Sequence, residues 1–152
     1  GAVALRPECF GLEALCLEAL AKTELGTREV SLSVDPGLEA RADRLLLLRV
    51  VANLLSNAAR YTEESARIWI GGWQEGGTIW IRVADDGPGV PPSLLPRIFD
   101  PFVRGEDSRS RVTGGLGLGL MLVRQIAAAH GGRALASERE GGGLEIRIGL
   151  PG

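Results

Sequence analysis

Residues 42 to 60, ADRLLLLRVVANLLSNAAR, form the longest helical pattern in the chain and limit its fold more than any other stretch. At about 100° per residue, the angle set by 3.6 residues per turn, Leu47, Leu48, Val51, Leu54, Leu55 and Ala58 cover one side. Arg49, Asn53, Ser56, Asn57 and Arg60 share the other. A helix divided in this way has to lay its apolar side on another element. The partner surface is predicted by EVSLSV (29 to 34), ARIWIG (66 to 71) and TIWIRVA (78 to 84), which alternate apolar and polar residues as half-buried strands do. Gln74-Glu75-Gly76-Gly77 between the last two has the composition of a hairpin turn.

Residues 10 to 25 predict a first helix stopped by Gly26, and 116 to 129 a last helix closed by Gly131-Gly132. Residues 133 to 137 and 144 to 150 read as final strands. Adjacent strand pairs mixed with helices predict an α+β fold. The expected form is a two-layer α/β sandwich, a mixed, mostly antiparallel sheet of about five strands covered on one face by about three helices. The 152 residues fit a single domain. Between 85 and 115 the chain turns rich in Gly, Pro, Ser, Asp and Arg, with a short helical turn predicted at 93 to 98. Loops of that length are usually binding loops or lids.

Net charge is -2 and the pI about 5.5, which excludes the diffuse basic field of a sequence-independent nucleic-acid binder. Cys9 and Cys16, seven residues apart on a predicted helix, lie about 10 Å apart, too far for a disulfide. They are expected to be buried apolar groups. No stretch approaches the roughly 20 apolar residues of a membrane span, and none resembles a signal peptide, so a soluble cytoplasmic domain without membrane contact is expected. The cytoplasmic end of a membrane-bound sensor fits equally.

Three stretches carry candidate chemistry. Asn53, Asn57 and Arg60 present amide oxygens suited to Mg²⁺ and a cation suited to phosphate, although any surface helix shows a polar stripe. Asp85-Asp86-Gly87-Pro88-Gly89 places a carboxylate at a strand end, where it can accept from an exocyclic amine; the same residues also make a plain turn. Gly114 to Leu120, GGLGLGL, leaves backbone N–H groups free to surround an anion at a helix start. It lacks the Lys and Ser/Thr of a Walker A loop.

In this order, NLLSNAARYT (53 to 62), DDGPGV (85 to 90), RIFDPFVR (97 to 104) and GGLGLGL (114 to 120) resemble the N, G1, F and G2 boxes of sensor histidine-kinase catalytic domains, members of the GHKL ATP-binding superfamily. The closing GGGLEIRIGLP (141 to 151) resembles that family's last strand, except that Leu144 stands where a small hydroxyl residue is common. The resemblance implies ATP and Mg²⁺ as cofactors, Asn57 as the Mg²⁺ ligand and Asn53 assisting. It implies Arg60 at phosphate, Tyr61 beside the nucleotide, Asp85 on the adenine amino group, and Gly87, Gly89 and Val90 shaping the pocket. Residues 100 to 115 match an ATP lid with Phe99 and Phe102 as its hydrophobic hinge and Arg104 a further phosphate contact. Gly115, Leu116, Gly117, Leu118, Gly119 and Leu120 fall at the triphosphate.

Related ATPases and anti-sigma-factor serine kinases usually carry a glutamate base four residues before the metal-binding asparagine. Asn53 stands there instead, and an amide takes no proton. The implied reaction is therefore γ-phosphate donation to a histidine on a separate dimerisation and phosphoacceptor domain, upstream of a response regulator. The other readings are a degenerate nucleotide-binding or docking module without kinase turnover, or a GHKL ATPase or anti-sigma-factor serine kinase; a monomer is expected. His130, in AAAHGG at a helix end, suits capping and not phosphoacceptance, since the family's acceptor lies on a long helix before an acidic residue.

Overall fold

The structure, a computed structural model, describes residues 4–101 and 119–152. Its elements run β1 (Pro7–Gly11), α1 (Leu12–Ala21), β2 (Glu29–Val34), β3 (Glu39–Asp43), α2 (Arg44–Arg60), β4 (Arg67–Glu75), β5 (Thr78–Asp85), a 3-10 turn (Leu95–Arg97), α3 (Gly119–Ala129), β6 (Arg133–Glu138) and β7 (Leu144–Pro151). The five-stranded sheet has the order β2-β4-β5-β7-β6. Only the β2–β4 pair is parallel; the other three pairs in this sheet are antiparallel. This is the expected mixed α+β sandwich.

The strand pattern decides the two sheet faces. Ile68, Ile70, Ile79, Ile81, Val83, Ile146, Ile148 and Leu150 point inward and join Leu47, Val51, Leu54 and Leu55 of α2 and Val123 and Ile126 of α3 in one buried cluster. On the outer face Trp73 and Trp80 stack with centroids 6.4 Å apart, and Arg133 and Arg147 lie 5.0 and 5.3 Å over the Trp80 ring. Arg139 covers Trp69 at 4.5 Å. Cation–π contacts thus cover Trp69 and Trp80 on a sheet face that, among the described residues, has no helix over it.

Several boundaries differ from expectation. β4 runs on to Glu75, so Gln74 and Glu75 of the predicted hairpin turn are paired strand residues and Gly76-Gly77 alone makes the turn. Phe10 and Gly11 belong to β1, so α1 is shorter than the predicted helix at 10 to 25. Residues 42 and 43 belong to β3, a strand the sequence reading missed, which pairs with β1 as a second, two-stranded antiparallel sheet. The alternation is present in Glu39–Asp43, with Ala40 and Ala42 buried, but alanine is a weak strand signal. The helical turn predicted at 93 to 98 is only the 3-10 turn at Leu95–Arg97. Cys16 is buried, and burial first, then Glu13, pushes its thiol up to about 11; Cys9 is exposed, contrary to expectation.

Asp43 joins several elements at once. Its side chain caps α2 by accepting from the Leu46 amide (3.2 Å) and also accepts from the Arg6 amide (3.0 Å). Its own N–H donates to His130 Nε2 (3.0 Å), while His130 Nδ1 meets the Ile126 carbonyl at 2.8 Å. An N–H can only donate, so Nε2 is the acceptor and the ring proton sits on Nδ1. The C-terminal end of α3 is thereby fixed to the start of α2.

Two leucines of α2 give a direct test of this packing. Leu55 is fully buried and Leu45 is 74% exposed. Leu55→Ala should cost about 2–5 kcal/mol in urea unfolding, and Leu45→Ala no more than about 0.5 kcal/mol.

Candidate functional site

The buried side of α2 contains Leu47, Leu48, Val51, Leu54, Leu55 and Ala58, as the spacing requires, and Val50 besides. The polar residues are therefore turned away from the core. Asn53 and Asn57 are half-buried, while Arg49, Ser56 and Arg60 are exposed. Both asparagines stand on the side of α2 turned away from its buried leucines. Tyr61 is the C-cap residue of the helix and is 37% exposed. Arg60 opens with Ser56, Lys22, Arg28 and Glu64 onto a polar cleft of about 600 Å³ that includes none of Asn53, Asn57 and Asp85. The structure does not bring the Arg60 side chain together with Asp85.

Asp85, the last residue of β5, is 6% exposed and is the one buried charged side chain among the described residues. Its Oδ1 accepts from the Gly87 amide at 2.9 Å. Burial, with some repulsion from Asp86, raises its pKa above the ordinary aspartate value; the amides of Gly87 and Leu144 and the charge of Arg139 oppose the rise. The neighbouring backbone is pressed close from two sides. A Cβ on Gly143 would meet the Asp85 carbonyl and lie 2.9 Å from the Asp86 Cα, and one on Gly87 would stand 2.5 Å from the Thr62 methyl. Asp86 ties the loop to β4, its Oδ1 accepting from the Arg67 amide at 2.7 Å.

The Gly87–Thr62 contact brings two separated motifs together. Thr62 directly follows Tyr61 beyond α2, and its hydroxyl donates to Ala58 O at 2.7 Å, so the asparagine helix and the Asp85 loop abut. Thr62 and Gly143 were not singled out in the sequence, although both lie within the quoted stretches 53 to 62 and 141 to 151. Nothing in spacing alone indicates that one touches Gly87 and the other Asp85.

Gly89 adopts φ 71°, and Val90 packs on the core edge. Ile98 and Phe99 are buried in the main cluster, so Phe99 is an anchor of that segment, and Asp100 reaches Arg124 of α3 at 3.4 Å. Gly119 starts the described part of α3 and Leu120 is buried there. Phe102, Arg104, Gly115, Leu116, Gly117 and Leu118, and most of the expected lid, lie outside the described residues.

A half-buried amide pair beside a buried carboxylate, at the junction of a helix and a strand end, suits a nucleotide carrying a hard cation. Among the described residues there is no group of three or more His, Cys, Asp or Glu side chains able to hold a metal. A cation held by one or two protein oxygens and completed by phosphate is the arrangement Mg²⁺ favours.

Residues 42–152 match the family described as histidine kinase-, DNA gyrase B-, and HSP90-like ATPase. The chain belongs to this ATPase family. It is 37% identical over 123 residues to the sensor-like histidine kinase SenX3 of Mycobacterium tuberculosis, an overlap of 81% of the chain and 30% of that protein. Its fold matches the mycobacterial sensor histidine kinase MprB with TM-score 0.84 and 28% identity, covering 95% of this chain and 98% of the other. Full-length ShkA, solved in complex with AMPPNP, matches with TM-score 0.83 and 30% identity over 99% of this chain and 32% of its own. The chain therefore has the catalytic ATPase fold found in protein-histidine kinases and spans under a third of the curated relatives' length.

The buried carboxylate gives this ATPase domain a pH signature. Folded Asp85 holds its proton more tightly than the unfolded chain does, so its contribution to stability falls as pH rises from the unfolded aspartate value, about 3.9, through the folded one. Carboxyl ¹³C NMR should find Asp85 titrating above the free aspartate range. A midpoint at or below that range would mean that the Gly87 and Leu144 amides outweigh burial.

Proposed function

We propose that this domain binds Mg-ATP and donates the γ-phosphate to a histidine on a separate phosphoacceptor domain. The contact between Thr62 and Gly87 carries the reading, because it joins the Asn53–Asn57 face of α2 to the buried Asp85. Asp85 is the group suited to the adenine amino group, with Gly87, Gly89 and Val90 shaping the floor and Tyr61 beside the base. A hydrogen bond to the ionised carboxylate favours its charged form, so bound adenine would offset part of the burial cost. Asn57, assisted by Asn53, would hold Mg²⁺, which neutralises phosphate charge when bound. Arg60, Arg104 and the backbone from Gly115 to Leu120 are assigned to the phosphates.

Catalysis in this domain is then positioning and charge stabilisation, without a built-in base. Asn53, an amide, cannot accept a proton at the place where a glutamate would activate water. His130 is the chain's single histidine, and both its ring nitrogens are already engaged, with Asp43 N–H and Ile126 O, so it is not an acceptor. The acceptor histidine and a downstream response regulator are partners supplied from outside these residues. Among the described residues no helix is long and apolar enough to cross a membrane, in keeping with the cytoplasmic end of a sensor.

Calorimetric titration should find ATP binding that tightens with Mg²⁺, and Asn57→Ala should remove that metal dependence. With γ-labelled ATP the chain should not label itself but should label an added phosphoacceptor domain, the product being acid-labile. Absence of nucleotide binding with or without Mg²⁺ would sink the proposal.

A further inference from the structure

We propose that Arg28 is a positioning residue for the adenine end of the site, acting through Thr62; the inference rests on the nucleotide reading above. Arg28 stands just before β2, outside every stretch that resembles a family motif, yet its guanidinium is committed to the far end of α2. Nη2 donates to Ala59 O at 2.9 Å and Thr62 O at 2.6 Å, Nε to Thr62 Oγ1 at 2.9 Å, and Nη1 to Leu25 O at 3.1 Å.

The last carbonyls of a helix have no partner inside it. In α2 the Tyr61 amide takes Asn57 O, the Thr62 hydroxyl takes Ala58 O, and Arg28 takes Ala59 O. A cation is also the favoured charge at this end of the helix. Arg28 thus closes the terminus of the helix that carries Asn53 and Asn57, and it grips Thr62 by both its hydroxyl and its carbonyl.

Thr62 is the next link. Its hydroxyl, accepting from Arg28 and donating to Ala58 O, is fixed in one orientation, which aims the methyl at Gly87. Gly87 is packed so close to that methyl that a Cβ there would stand 2.5 Å away, and its N–H is the one that holds Asp85 Oδ1. The order of support runs Arg28, Thr62, Gly87, Asp85. Without the guanidinium, Ala59 O and Thr62 O lose their donor, Thr62 is free to turn, and the Gly87 amide loses the wall that sets its position. Lysine does not replace this, since an ammonium is a point donor and the acceptors here span a planar fork.

The experiment compares wild type, Arg28→Ala, Arg28→Lys and Thr62→Val. Amide hydrogen exchange at Gly87 is measured without nucleotide, and Mg-ATP affinity by calorimetry, each with and without millimolar methylguanidinium. Arg28→Ala should speed Gly87 exchange selectively over core amides such as Ile81, weaken Mg-ATP binding about tenfold, and recover both on adding methylguanidinium. Arg28→Lys should fall between wild type and Arg28→Ala, and carries the comparison if the alanine variant does not fold. Thr62→Val, which keeps a methyl but lacks the hydroxyl, should show the same loss without rescue. Unchanged Gly87 exchange, faster exchange throughout the core, or failure of methylguanidinium to restore binding would each overturn the role of Arg28. A wild type that binds no Mg-ATP would instead refute the nucleotide reading, and the exchange data would still decide whether Arg28 sets Gly87.

Discussion

The site depends on how α2 is buried. Leu47, Val50, Val51, Leu54, Leu55 and Ala58 are all packed into the cluster beneath the sheet, and this one constraint fixes the rotation of the helix about its axis. Turning α2 by a single residue, about 100°, would bring polar groups into the core. Asn53 and Asn57 have their place because the leucines have theirs. The helix is also held at both ends by side chains, Asp43 and its His130 partner at one and Arg28 with Thr62 at the other. Its direction is set as firmly as its rotation.

Against this rigid helix, Asp85 is the deliberate expense. A carboxylate with 6% exposure is a net cost in a fold otherwise lined with Ile, Leu and Val, and the two amides beside it compensate only in part. Glycine keeps the loop close enough for those amides to reach: Gly143 lies against the Asp85–Asp86 backbone and Gly87 against Thr62. The carboxylate sits at the strand end with its Oδ1 held by the Gly87 amide, and the end of the asparagine helix meets the same loop through Thr62.

Much of this was legible in the residues. The periodicity of α2, the strands at Glu29–Val34 and Thr78–Asp85, and the layer architecture follow from patterns of apolar spacing, which record burial directly. The short strand β3 was hidden because Ala40 and Ala42 provide little area and alanine signals helix as readily as strand. Asn53, Asn57 and Asp85 stand out as candidates by residue type and order. The supporting residues do not. Arg28 and Gly143 act through partners at least 31 residues away or on another strand, and no local pattern encodes such a contact.

The outer face of the sheet separates two kinds of optical information. All three tryptophans, Trp69, Trp73 and Trp80, lie on that face under arginine side chains or stacked on one another, with the sheet between them and the helices. Their emission reports whether β4, β5 and β7 remain assembled. Trp69 has a link to the Asp85 end of β5 as well, since Arg139, which lies over its ring, also acts on the Asp85 charge.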